Sequence, residues 1–255
     1  MTPPNPTPAR LLEVCELAAR AGAEQLLAWR GRFQTREKAP RDLVTDADYA
    51  SEQAVRRVIA EQDGRPILNL AASFHKQEAG VTHQDAMPEV PPPDDLPSET
   101  DLRRAVIDQI PERLRRLMTR PRAIEFRPVE ARHWMNSEKR PALTHSWFRT
   151  VAPLPDDPVL HRAVLAYVSD MTLLGTCALP HGLSWLKGEL QSASLDHALW
   201  LHDDFRCDEW MLYVTDSPWA GRSRGFNRGR IYTRDGRLVA NVAQEGLIRK
   251  TTPQA

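Results

Sequence analysis

Residues Pro158–Cys177, PVLHRAVLAYVSDMTLLGTC, decide the fold. From Ala163 to Leu174 the chain is apolar on nearly every side, and a helix that is apolar all round belongs in a protein's interior. The stretch predicts a buried central helix on the order of 30 Å long, at 1.5 Å of rise per residue. In its middle sits Ser169-Asp170, flanked by Tyr167, Val168, Met171 and Leu173. Removing a carboxylate from water is costly unless it is paired, so Asp170 requires polar partners. The residues alone allow two readings of it: a structural acid capped by Ser169 or Thr172, or a functional carboxylate.

Behind the helix come four strand-like runs, Leu190–His202, Glu209–Asp216, Gly225–Thr233 and Leu238–Arg249. Asp235-Gly236 suits the positive φ angles of a tight hairpin between the last two. Ahead of the helix, Ala123–Val129 alternates like a strand and Ser146–Thr150 is a second short one. Asp101–Arg120 reads as an amphipathic helix split at Pro111, with Leu102, Val106, Ile110, Leu114 and Leu117 on its inner face. Met87–Thr100, with its consecutive prolines, reads as a linker that joins neither helix nor sheet. Strands, one long helix, then an antiparallel run of strands predict an α+β fold in which a sheet wraps a helix.

The amino-terminal third is organised differently. A proline-rich start, MTPPNPTPAR, precedes an amphipathic helix over Ala9–Trp29 with Gly31 as its stop, and Thr45-Asp46-Ala47-Asp48 reads as a second helix start. Asp63-Gly64 suggests a hairpin, and Arg65–Phe74 reads as a strand. The domain organisation expected from this pass is a tail at 1–8, a helical segment at 9–58, a short segment at 59–86, the linker at 87–100 and the main domain at 101–250.

Composition excludes several classes. The 255-residue chain has zero formal net charge, so no whole-protein field favours nucleic acid or an anionic membrane. Cys15, Cys177 and Cys207 lie far apart without CxxC spacing, which fits a reducing compartment rather than a disulfide framework or a zinc site. No window approaches 18 uninterrupted apolar residues and the start lacks an apolar signal region, so a cytoplasmic protein without a membrane span is expected.

Two resemblances add to this reading. The segments LLEVCELAARAGAEQLLAW and REKAPRDLVTDADYASEQAVRRVI resemble the first two helices of the inositol monophosphatase family. There the stretch matching Asp42–Asp48 lies near a magnesium site, with Lys38 and Asp48 at its edge. The likeness stops at about Val58, and the Asp-Pro-x-Asp-Gly-Thr loop and second acidic pair of that family are missing. One acidic segment does not supply the oxygen ligands of an octahedral Mg²⁺ site, so no metal is expected.

The second is longer. GRPILNLAASF, MPEVPPPDDLPSE, PLPDDPVLHRAVLAYVSDMTLL, ALPHG, LQSASLDHALWLHDDFRCDEWMLYVTDSP and GRGRIYTRDGRLVANVAQEGLIR closely resemble the type II acyl-CoA thioesterases, from about Gly64 to Arg249. Those are double hotdog proteins. The resemblance implies a carboxyl-terminal hotdog here, with a first hotdog reduced to a remnant at 59–86 and a join of two pieces near Ala54–Asp63. It also implies a fatty acyl-CoA substrate, hydrolysis by an activated water without a cofactor, and a site made of Asp170, Ser194 and Gln244. A chain lacking most of one hotdog exposes apolar surface, so a homo-oligomer is expected.

The chemistry of these residue types is consistent with that implication. Asp can take a proton from water, Ser can bridge, and Gln can both donate and accept. Gln244 is a polar residue in the apolar row Leu238, Ala240, Val242, which calls for a partner. Oxyanion stabilisation is left open between backbone N–H groups near the helix and Gln244. A Ser194–His197–Asp196 triad is not expected, because strand neighbours point to opposite faces and no Gly-x-Ser-x-Gly elbow is present. Arg222–Arg237 holds six arginines and one acid. Arg228, Arg230 and Arg234 are read either as contacts for coenzyme A phosphates or as charges that guard an edge strand. Two further functions remain as alternatives: a non-catalytic acyl-CoA-binding hotdog, and a Mg²⁺-dependent inositol phosphate phosphatase.

Overall fold

The computed structural model describes residues 17, 20–25, 27–28, 35–39, 42–45, 61–62, 65–66, 70–76, 78–130, 138–185 and 187–251. The chain divides into two compact units, Met1–Val81 and Thr82–Ala255. In the first unit the described residues between 17 and 28 are helical. Strand β1 (Thr35–Ala39) pairs antiparallel with β2 (Asp42–Thr45), and β3 (Glu61–Gln62) with β4 (Arg65–Pro66). Gln62 pairs with Arg65, and Asp63 and Gly64, where a hairpin is expected, lie outside the described residues. The strand expected over Arg65–Phe74 stops at Pro66 among the described residues, and 70–76 form no strand. Among the described residues of 59–86, β3 and β4 form a two-stranded sheet of their own. Asp46, Ala47 and Asp48 lie outside the described residues.

The second unit opens on a segment whose reading changes. Met87–Thr100 is no free linker: Met87, Val90 and Leu96 pack against Trp147, Trp210, Leu212, Val214 and Tyr232 on the outer face of a sheet. Prolines forgo N–H donation but keep their carbonyls. Pro91 O accepts from Trp147 Nε1 at 2.9 Å and Pro93 O from Arg127 Nη1 at 2.7 Å. Helix α1 (Glu99–Ala105), capped by Ser98, and helix α2 (Glu112–Thr119) follow, separated at Pro111 as expected.

Strands β5 (Ile124–Pro128), β6 (Leu143–Thr150), β7 (Leu190–Ser194), β8 (Ala198–Leu201), β9 (Met211–Gly221), β10 (Arg224–Thr233) and β11 (Leu238–Lys250) form one antiparallel sheet. Its order is β5-β6-β9-β10-β11-β7, with β8 also paired to β11. Asp235-Gly236 makes the last hairpin, with Gly236 at φ 91°. The β9–β10 turn carries Arg222 and Ser223 at φ 51° and 60°, a left-handed pair with no glycine to announce it.

Helix α3 (Pro158–Asp170) lies on the inner face of this sheet. Pro158 takes the first position and Asp157 caps Val159 N at 2.9 Å. His161, Leu165, Val168 and Ser169 are buried at helical spacing, against a core that includes Phe126, Phe148, Tyr213, Ile231 and Val242. The helix is shorter and more one-sided than its composition predicts. It has 13 residues, and Val159 and Tyr167 on its other face are 70% and 66% exposed. Met171 turns extended at ψ 127° and Thr172 takes φ 75°, after which a 3-10 helix runs over Leu174–His181.

The approach to α3 is pinned by Asp208. Its carboxylate takes two bonds from Arg206, at 3.1 and 3.0 Å, and one from Leu154 N at 3.0 Å. The Arg206 bonds hold the Asp208 carboxyl down at about 2, against an ordinary 3.8. A depressed carboxyl stabilises the fold fully above the unfolded value and loses that contribution as pH falls through the folded one. We therefore expect wild type to exceed Asp208→Asn in urea resistance at pH 7. The gap should close between about pH 4 and 2, read from unfolding midpoints across that window.

Candidate active site

The break after α3 leaves Asp170 at the negative end of the helix dipole, where a carboxylate is disfavoured without donors. Two strands supply them. Gln244 on β11 is fully buried, and its Nε2 donates to Asp170 Oδ1 at 2.5 Å. Ser194, the last residue of β7, donates from Oγ to the same oxygen at 3.4 Å. Register makes this possible: Ser194 pairs with Gly246, two residues from Gln244 and on the same face of the sheet. The structure thus brings together all three residues singled out in the sequence. The expected burial of Asp170 is corrected, because its side chain is 58% exposed. Its Oδ2 has no hydrogen-bond partner among the described residues.

A fourth residue, His197, enters the cluster although strand alternation argued against it. Leu190–His202 is not one strand. Residues 195–197 are a bulge-like interruption between β7 and β8, which both run antiparallel to β11: Ser194 pairs with Gly246 and Ala198 with Ala243, and between them Leu195 N and Asp196 N both donate to Glu245 O at 3.0 and 3.4 Å. Asp196 Oδ1 accepts from Glu245 N at 2.6 Å, which turns the acid toward the β11 backbone and away from His197. The imidazole packs inward, with Nε2 2.8 Å from Ser169 Oγ and Nδ1 3.2 Å from Gln244 Nε2. Nδ1 lies 3.9 Å from Asp170 Oδ1. The unexpected triad is not formed either. Ser194 bonds to Asp170, and Ser169, the serine that meets His197, is fully buried and closed to a substrate.

Tyr213 supports the site from below. Its phenol donates to Ser169 O at 2.6 Å, tying the helix end to β9. Burial, and then the charge of Asp170, hold the phenol well above its usual range, so it stays a protonated donor. Its ring fits because β10 carries Gly229 opposite, where a Cβ would stand 2.5 Å from Tyr213 Cε2. Gly225 makes similar room for Cys177, whose N–H donates to Asn227 Oδ1 at 2.9 Å. A hydroxyl ladder, Thr144–Thr215–Thr176 with 2.7 Å steps, anchors the 3-10 helix to β9.

The arginines do not join this cluster. Asn227, Gly229 and Ile231 point to the helix side, so Arg228 and Arg230 occupy the opposite face of β10. Arg228 pairs with Asp216 at 2.7 Å, Arg230 with Asp85 at 3.2 Å, and Arg234 with Asp94 at 2.6 Å. Arg228 and Arg230 border a cavity of about 400 Å³ together with Trp200 and Asn241, on the outer side of the sheet. Sequence showed a basic run but not the acids that come to meet it from residues 85, 94 and 216.

A curled antiparallel sheet around one helix, with the polar cluster at the helix's end, is the hotdog fold. The family model described as acyl-CoA thioesterase matches residues 116–247. The chain is 39% identical over 207 residues to the human protein named acyl-coenzyme A thioesterase 8, covering 78% of this chain and 64% of that one. It is 35% identical over 192 residues to acyl-CoA thioesterase 2 of Haemophilus influenzae, covering 75% and 67%. The solved structure of an acyl-CoA thioesterase II, TesB2, from Mycobacterium marinum matches with a TM-score of 0.59 and 35% identity, over 87% of this chain and 75% of that one. This chain belongs to the acyl-CoA thioesterase family. It spans about 64% of the length of its human relative.

The packing beneath the site can be tested without substrate. Gly229→Ala should displace the Tyr213 ring and its bond to Ser169 O, lowering stability by about 1–3 kcal/mol in urea unfolding. An unchanged midpoint would show that the Tyr213 contact does not hold the helix end.

Proposed function

We propose that this chain hydrolyses a fatty acyl-CoA to the free acid and coenzyme A. The observation that carries the reading is the division of labour on Asp170. Gln244 and Ser194 hold Oδ1 in place, while Oδ2 belongs to an exposed side chain and is available to a water. Oδ2 takes a proton as the water oxygen bonds to the thioester carbonyl carbon. The C–S bond then breaks, and the proton held on Oδ2 passes to the departing thiolate, which restores the carboxylate. Both N–H bonds of the Gln244 amide are directed at Asp170 and His197, so the negative charge on the carbonyl oxygen falls to backbone N–H groups. The names of the human and Haemophilus influenzae relatives support the acyl-CoA substrate.

The same reading extends to the setting of the enzyme. Free, buried thiols at Cys177 and Cys207 support a cytoplasmic location, and the fatty acyl-CoA substrate proposed here supports a place in lipid metabolism. Exposed Val159 and Tyr167 on the helix support association with a second copy. Pro158–His181 is apolar enough in composition to cross a membrane, but α3 within it buries one face against the sheet. The amino-terminal likeness to inositol monophosphatases rests on sequence and has no assigned part in this chemistry.

Free-thiol release from a panel of acyl-CoAs tests the proposal. Wild type should turn over, and Asp170→Asn should lose about 10²–10⁴-fold in kcat with unchanged circular dichroism. Full turnover by Asp170→Asn would remove the carboxylate from the mechanism.

A further inference from the structure

The hydrogen-bond donors and acceptors around His197 close in one way only. Gln244 Nε2 is an amide nitrogen and can only donate, so His197 Nδ1, 3.2 Å away, must accept and carry no proton. The ring proton then sits on Nε2 and is donated to Ser169 Oγ at 2.8 Å. Ser169 Oγ in turn donates to Ala166 O at 2.8 Å, inside the last turn of α3. This sequence runs from the helix backbone through serine and imidazole to the carboxamide and ends on Asp170 Oδ1.

Gln244 holds this orientation at a cost. Its Oε1 is buried without a partner among the described residues, an arrangement that a free amide would relieve by rotating. Asp170 selects which end of the amide faces it. A single bond leaves the amide plane free to turn, and the second N–H, taken by His197, fixes that plane.

We propose that His197, as a neutral imidazole protonated on Nε2, is a positioning residue that orients the Gln244 carboxamide and through it the Asp170 carboxylate. His197 itself touches no reacting atom in this arrangement. The inference rests on the thioesterase reading for its effect on turnover, but not for the tautomer it requires.

Two substitutions separate a positioning role from simple packing. His197→Asn keeps an oxygen at the place of Nδ1 and loses the reach to Ser169. His197→Gln reaches Ser169 and loses the acceptor for Gln244. With acyl-CoA as substrate, His197→Gln should lower kcat about 100-fold at unchanged KM, the scale of a small misplacement of a catalytic group. His197→Asn should recover kcat to within about tenfold of wild type. The reverse order, or equal losses, would overturn the proposal. Long-range ¹H–¹⁵N spectra of the wild-type imidazole decide the tautomer independently of activity. A proton on Nε2, with the Gln244 side-chain amide resonances moving in His197→Gln, is expected, and a proton on Nδ1 overturns the proposal. Wild type that releases no thiol would sink the thioesterase reading alone, leaving the spectra to decide this one.

Discussion

A carboxylate at the carboxyl end of a helix is held against an unfavourable dipole, and the arrangement of this protein follows from the donors it requires. Asp170 ends α3 because Met171 turns extended and Thr172 adopts a left-handed φ. Asp170 shares the exposed row of the helix with Ala166 and Tyr167, and at the helix end it is in reach of β7 and β11. Gln244 and Ser194 reach one oxygen from adjacent strands, and that contact couples the helix to the far edge of the sheet.

The sheet is cut to fit this contact. Gly225, Gly229 and Gly246 line the strands beneath the helix where Cys177, Tyr213 and Leu174 need the space of a Cβ. Tyr213 uses that space to hold Ser169 O, so the last turn of α3 is fixed from below while His197 fixes it from the side. On the opposite face the proline-rich segment around residues 87–97 covers Trp147 and Tyr232. Charged residues of β10 meet acids there.

Much of the fold was legible from pattern. The β10–β11 hairpin announced itself in Asp235-Gly236, the split between α1 and α2 in Pro111, and the strand runs in their alternation. Gln244 was visible as a polar interruption in an apolar row. What misled was continuity: a run such as Leu190–His202 reads as one strand, and parity then places His197 on the wrong face. Nothing local signals the bulge-like interruption at 195–197 that shifts this parity, because it is held by the distant Glu245 backbone. The prolines of Met87–Thr100 likewise told only what the segment could not pair with, not that its carbonyls would find Trp147 and Arg127.

Taken by itself, the sequence determined the classes of element, their order and the α+β layout, which are properties of spacing and residue type acting over a few positions. Its likeness to a known family, not its spacing, supplied three of the four side chains that gather at the site. Only the tertiary structure decided that the helix ends at Asp170, that His197 turns inward and that the arginines face away. Each of those depends on hydrogen bonds between residues from 49 to 145 positions apart, whose energies appear in no local pattern.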